Sequence, residues 1–164
     1  MKKNNNMSLT HWEESHYGDV YLFMRFLAYP NRYQSSSKSV TRSLVNGNGQ
    51  DPPLTGIRAV EAVTGEPFKD TIAKYALSLF INDYLSTDPK SYSINGINLK
   101  GTYCGVNFPG FTVEDVESSL ILNDMPYDNS IRFFKKTSTG KGDTTMTITA
   151  GAQPVTLYLL DERE

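Results

Sequence analysis

The stretch that decides the fold is residues 55–85, "TGIRAVEAVTGEPFKDTIAKYALSLFINDYL". Thr55 is a suitable N-cap and Gly65 a suitable stop, so a short helix is predicted between them. The apolar residues of this helix that recur at helical spacing, and are predicted to point inward, are Ile57, Val60 and Val63. Pro67 then suits the first position of a second helix, because its fixed φ fits the first turn and its missing N–H is not needed there. Two helices joined by a tight connection therefore form the centre of the predicted fold.

The second helix is predicted to be buried on several sides. Its apolar side chains fall into two rows at helical spacing. One row comprises Phe68, Ile72, Tyr75, Ala76 and Leu79, and the other comprises Ala73, Leu77, Phe80, Ile81 and Tyr84. A helix that is apolar on most of its circumference packs against more than one neighbour.

Two further helices are predicted on the N-terminal side. The first covers residues 17–29 and is ended by Pro30. Its apolar stripe is predicted to comprise Tyr17, Val20, Tyr21, Met24, Leu27 and Ala28. Leu22, Phe23 and Phe26 lie off this stripe, which makes the helix apolar on most of its circumference and predicts packing on more than one side. A polar loop follows, and a shorter helix is predicted over residues 40–45, capped by Gly47. The N-terminal half is thus predicted to be a subdomain of about four helices.

The pattern changes after Pro89 from helical periodicity to short runs separated by Gly, Asn and Pro. Extended structure is predicted for residues 92–99, 101–108, 118–123, 130–136, 144–149 and 155–160. Helices followed by strands are typical of an α+β fold. The predicted organisation is a polar lead-in at 1–15, a helical subdomain at 16–88, a connection at 89–111 and a small antiparallel β module at 112–164.

Composition and charge exclude several classes of function. Sixteen basic and eighteen acidic residues give a formal charge of -2, and no stripe of Lys and Arg accompanies aromatic residues, so nucleic-acid binding is not expected. No apolar run approaches the length of about 18 residues that a membrane span needs, and the N-terminus lacks the apolar core of an export signal. The expected compartment is the cytoplasm if Met1 begins the protein, and the envelope or the exterior if the chain belongs to a longer exported protein.

The single cysteine, Cys104, is expected to be a small, half-buried thiol.

Both histidines of the chain lie in residues 11–16, "HWEESH", with two carboxylates between them. Zinc sites of the H-E-x-x-H type use histidines four residues apart, which lie on one face of a helix. His11 and His16 are five residues apart, a spacing that separates two side chains by about 140° around a helix. No metal-binding, cofactor-binding or catalytic residue is therefore predicted. The alternative is a loop that brings both histidines together with Glu13 or Glu14 in a minimal metal-dependent hydrolase.

Three stretches, "HYGDVYLFMRFLAY", "LTGIRAVEAVTGEPFKDTIAKYALSLFINDY" and "SYSINGINLKGTY", resemble the region that follows the catalytic motif in hyicolysin-type zinc metallopeptidases of the gluzincin-like group. The matching positions are Tyr17, Gly18, Gly56, Ile57, Val60, Glu61, Thr64, Gly65, Phe68, Asn82 and Asp83. The resemblance covers residues 16–104, and the β-rich remainder is similar only in style. In that family catalysis depends on an H-E-x-x-H helix and a downstream glutamate ligand, both of which precede the Tyr-Gly helix and are expected to be missing from this chain. The resemblance therefore implies a scaffold and carries over no catalytic residue.

The expected function is that of a non-catalytic scaffold or binding protein that resembles the C-terminal part of a secreted zinc metallopeptidase. Two alternatives stay open: the metal-dependent hydrolase described above, and an envelope-associated interaction protein unrelated to peptidases.

The expected partner is a second copy of the chain, because the catalytic half that would cover the apolar helices is expected to be missing. The residues expected at this shared face are Leu22, Phe23, Phe26, Leu77, Phe80 and Ile81. The β module can instead fold back over the same face, and the sequence does not identify a ligand.

Overall fold

The computed structural model describes residues 7–9, 17–33, 37–94, 96–110, 113–115, 130–131 and 133–135. The "HWEESH" stretch and the strands predicted at 118–123, 144–149 and 155–160 lie outside these residues. The helices are α1 (Tyr17–Leu27), α2 (Ser37–Val45), α3 (Gly56–Thr64) and α4 (Phe68–Ile81), with one 3-10 turn at Gly47–Gly49. Apart from the two-residue strand β1 (Met7–Ser8), the helices precede the strands. The predicted α+β fold class is confirmed.

The longest paired strands form an antiparallel hairpin between β2 (Lys100–Tyr103) and β3 (Val106–Pro109). This hairpin lies within residues 89–111, which were predicted to be a connection. The short strand β5 (Ser130–Ile131) pairs antiparallel with β1, so that Ile131 lies opposite Met7. A second two-residue pair, β4 (Glu114–Asp115) with β6 (Phe134–Lys135), is parallel. The described part of the predicted β module is therefore not purely antiparallel, because β4 and β6 pair in parallel, and β5 pairs antiparallel with a strand of the N-terminal lead-in.

The core is built from aromatic residues of α1 and α4. Tyr75 is fully buried, and its ring lies 5.1 Å from that of Phe23 and 5.5 Å from that of Phe26. Further buried residues of these two helices and of other parts of the chain extend this cluster: Leu27, Val40, Val63, Phe68, Leu79, Ile94 and Ile131. Each buried aromatic or branched side chain contributes roughly 1.5–3 kcal/mol relative to exposure. This aromatic cluster is therefore a major source of stability.

The predicted apolar stripe of α1 was wrong in part: Leu27, which belongs to it, is fully buried, but Tyr21 is not. Tyr21, placed on the inward stripe, is 58% exposed, whereas Phe23 and Phe26, placed off the stripe, are only 6% and 1% exposed. The inward face of α1 instead follows Phe23, Phe26 and Leu27, which also have helical spacing. Both stripes satisfy the helical period, and the face with two phenylalanine rings buries more apolar area.

Two details of α3 and α4 also differ from the predictions. Ile57, predicted to point inward, is 39% exposed, and the buried residues of α3 are Ala59 and Val63. The fourth helix ends at Ile81, before the predicted end at residue 85, because Asn82 adopts the left-handed conformation and closes the helix through its N–H to the Ser78 carbonyl.

Residues beyond the helices contribute to the same core. Ile94 and Ile131 belong to the buried cluster, and the Phe133 ring lies 6.0 Å from that of Phe80 in a stacked arrangement. These contacts connect the predicted β module to the helical subdomain at two of its described residues. The division of the chain near residue 111 stays a prediction.

Among the described residues, no helix has the length and apolar character needed to cross a membrane.

Candidate functional site

The predicted chemistry of the N-terminal segment lies outside the described residues, since His11, Glu13, Glu14 and His16 all fall in the undescribed stretch. Within the part of the chain that the structure describes, no group of three or more His, Cys, Asp and Glu side chains is arranged to hold a metal ion. Among the described residues, polar side chains make hydrogen bonds at the α3–α4 connection, around Arg32 and at the end of α4. The β2–β3 hairpin carries the cysteine.

The α3–α4 connection uses the residues that carry the resemblance described above. Gly65 takes a left-handed conformation, with φ 73°, and its N–H donates to the Glu61 carbonyl at 2.8 Å. The Glu61 carboxylate accepts the backbone N–H of Phe68 at 2.9 Å, which satisfies an N–H at the start of α4 that has no partner inside the helix. The Thr64 hydroxyl donates to the Val60 carbonyl at 2.9 Å. Each of these polar residues therefore has a role in turning the chain from α3 into α4.

Glu66, in the middle of this connection, joins three parts of the helical subdomain. Its Oε1 accepts hydrogen bonds from the Tyr33 hydroxyl and the Thr71 hydroxyl, each at 3.0 Å, and Oε2 accepts one from the Lys74 ammonium. Burial by itself raises the pKa of Glu66, but the bonds from Lys74, Tyr33 and Thr71 outweigh it and hold the pKa below its ordinary value. Burial, together with Glu66, raises the pKa of Tyr33. Tyr33 is therefore a neutral donor and Glu66 a charged acceptor at neutral pH.

We expect Glu66→Gln to lower the free energy of unfolding at pH 7 by about 1–2 kcal/mol, because the bonds it accepts lose their ionic character. Since the folded pKa is lowered, the wild-type contribution is present above the unfolded pKa of about 4.3 and is lost as the pH falls through the folded pKa. Urea unfolding followed by circular dichroism at pH 7 and pH 3 measures this loss. The difference between wild type and variant is expected to shrink at pH 3.

Lys74→Met is the matched control, because the Lys74 side chain is 49% exposed and an exposed ion pair contributes under about 1 kcal/mol. Equal losses for both variants would contradict the importance of the Tyr33 and Thr71 bonds. A difference for Glu66→Gln that persists unchanged at pH 3 would contradict the dependence of the effect on the Glu66 charge.

Arg32 joins the end of α1 to a segment far away in the sequence. Its guanidinium donates to the Phe26 carbonyl at 2.7 Å and to the carbonyls of Ser91 and Ser93 at 2.8 and 2.7 Å. It also lies over the Phe26 ring at 4.2 Å and the Tyr29 ring at 4.8 Å. Burial lowers the pKa of Arg32, which reflects the cost of removing the charge from water. Carbonyl dipoles and aromatic faces thus compensate a half-buried cation.

The same segment is held at other points by side chains that bond to backbone. The Tyr29 hydroxyl donates to the Ser86 carbonyl at 2.9 Å. Asn82 accepts the Leu99 N–H at 2.9 Å and donates to the Asn98 side chain at 2.7 Å, so the end of α4 is tied to the residues that lead into β2. These bonds hold residues 82–94 and 96–99 against the helices, although these described residues contain almost no regular secondary structure.

The hairpin turn places the cysteine in solvent, so the prediction of a half-buried thiol was wrong. Cys104 is exposed, and with Gly105 it forms a two-residue turn in which both residues have positive φ, 49° and 78°. This geometry is that of a type I′ turn, whose tip projects away from the strands it joins. A turn residue has no sheet neighbour to cover it, which explains the exposure.

One face of the hairpin carries exposed apolar side chains. Tyr103, Val106 and Phe108 are 45%, 56% and 48% exposed, and the rings of Tyr103 and Phe108 meet at 5.6 Å. The strand register places all three on the same side. The Lys100 N–H is taken by Asn98 Oδ1 at 2.9 Å, and Pro109 has no N–H, so addition of a further strand at these positions is disfavoured.

Comparisons with models of protein families, with curated proteins and with solved structures gave no match. The resemblance to hyicolysin-type peptidases therefore stays a prediction made from the residues of this chain.

The sequence pattern did not reveal the roles of Arg32 and Glu66, each of which makes several hydrogen bonds within the described residues. Arg32 lies in a segment predicted to be a surface loop, and two of its partners, the carbonyls of Ser91 and Ser93, are 59 and 61 residues away. The available signal was its position between Tyr29 and Tyr33, since aromatic neighbours favour a stacked guanidinium. Glu66 stands between Gly65 and Pro67, where a carboxylate can reach the first turn of α4.

Proposed function

We propose that this chain is a non-catalytic scaffold, similar in its helical part to the region that follows the active site in hyicolysin-type zinc metallopeptidases. The observation that carries the proposal is the use of Glu61, Thr64 and Glu66 in the α3–α4 connection. The Glu61 carboxylate accepts an N–H of the first turn of α4, and the Glu66 carboxylate accepts two hydroxyl donors. Carboxylates engaged in such intramolecular hydrogen bonds are poorly placed to act on a substrate. These residues lie in or beside the stretch that carries the resemblance, which supports a structural interpretation of that stretch.

The positions of the glycine and the aromatic residue in the same stretch support the proposal from a second direction. Gly65 holds a left-handed conformation, which residues with a Cβ adopt only at a cost. Phe68 begins α4 and is buried against Phe23, with ring centroids 6.2 Å apart. A pattern of this kind specifies how two helices are joined and packed. It is expected in a scaffold regardless of the reaction performed elsewhere.

The rival function is a minimal zinc-dependent hydrolase that uses His11 and His16 with Glu13 or Glu14. A catalytic zinc needs three protein ligands in one place, and the spacing of the two histidines does not supply them on a helix. We expect the purified protein, after dialysis against buffer without metal, to retain far less than one zinc per chain. Elemental analysis by mass spectrometry provides the measurement.

Cys104→Ser is the control for this experiment, because thiolates bind zinc and the exposed Cys104 has no role in the rival site. About one zinc per chain that persists in Cys104→Ser and is lost in both His11→Ala and His16→Ala would overturn the scaffold proposal. An in-frame H-E-x-x-H motif encoded upstream of Met1 would instead favour the peptidase relationship over an unrelated envelope-associated interaction protein.

We also propose that two copies associate through apolar surface at the end of α4, where Ile81 belongs to the face predicted from the sequence and Leu85 lies beyond it. Phe23 and Phe26 are buried within the chain, whereas Ile81 and Leu85, at and after the end of α4, are 41% and 76% exposed. Exposed apolar surface of this kind favours a two-fold contact, in which the same patch meets itself.

Sedimentation velocity between micromolar and tens of micromolar protein is expected to show a concentration-dependent dimer that Leu85→Asp weakens. Val45→Asp is the matched control, since Val45 is 78% exposed on α2. A single monomeric species at every concentration contradicts the dimer, and equal effects of the two variants would contradict the proposed location.

A further inference from the structure

We draw no further inference here: the strongest candidate, the exposed apolar face that Tyr103, Val106 and Phe108 form on the β2–β3 hairpin, is an unpartnered surface, and nothing in the structure shows what covers it.

Discussion

Arg32→Lys is expected to lower the free energy of unfolding by about 2–4 kcal/mol, although the substitution keeps the positive charge. The guanidinium reaches carbonyls on two separate segments, those of Phe26 and of Ser91 and Ser93, at 2.7–2.8 Å. A single ammonium cannot reproduce that planar fork, and each buried carbonyl left without its donor costs about 1–3 kcal/mol. The stacking of the guanidinium on the Phe26 ring is lost as well.

Urea unfolding of the wild type, Arg32→Lys and Arg58→Lys measures this effect. Arg58 lies on the exposed side of α3, so its replacement is expected to change stability by less than about 0.5 kcal/mol. Hydrogen exchange should also accelerate on Arg32→Lys, relative to the wild type, and more in residues 86–94 than in α3, because the substitution releases that segment first. Equal stability of the two variants would show that the carbonyl bonds of Arg32 contribute little.

The α3–α4 pair was predictable because its boundaries are set by local chemistry. Gly65 is needed where the backbone takes a left-handed conformation. Pro67, predicted at the first helical position, lies one residue earlier, at the N-cap of α4, so both ends of the connection were assigned to within one residue. The early end of α4 had a weaker signal, since Asn82 adopts positive φ less readily than glycine but more readily than most residues.

The inward face of α1 was not predictable from periodicity alone. Tyr21 and Phe23 both belong to stripes with a helical period, and the choice between them depends on what α4 presents to α1. Tyr75 decides it, because its ring fits between those of Phe23 and Phe26, and its hydroxyl donates to the Asp19 carbonyl at 3.1 Å. Burial raises the pKa of Tyr75, so this hydroxyl stays a donor across the neutral range.

In the candidate site, too, hydrogen bonds between residues close in sequence could be predicted, and those between distant residues could not. The bonds of Glu61 and Thr64 span 7 and 4 residues and agree with the prediction of two consecutive helices joined by a short connection. The bonds of Arg32 connect residues about sixty positions apart, and a polar loop around residue 32 gives no indication of which distant carbonyls will approach it. Long-range bonds from side chain to backbone depend on the completed fold, so sequence pattern could suggest their donor but not their acceptors.

Phe26→Ala is expected to destabilise the protein by about 3–5 kcal/mol, the range found when a large buried side chain is truncated and leaves a cavity. Phe26 is 1% exposed, and its ring meets those of Tyr33 and Tyr75 at 6.4 and 5.5 Å and supports the Arg32 guanidinium at 4.2 Å. Truncation therefore removes packing and also the aromatic face that helps to hold a half-buried charge. Against a typical domain stability of about 5–15 kcal/mol, this loss is large enough to shift thermal unfolding by many degrees.

Tyr21→Ala is the control on the same helix, since Tyr21 is 58% exposed and its loss is expected to cost less than about 1 kcal/mol. The comparison also separates folding from association. If Phe26 stabilises only the folded monomer, the loss of stability caused by Phe26→Ala is the same at two protein concentrations that differ about 20-fold. A loss of stability that depends on protein concentration is then expected for Leu85→Asp instead. A cost for Phe26→Ala that grows with protein concentration would place Phe26 at a contact between copies, and would restore the face of α1 to the dimer interface originally expected from the sequence.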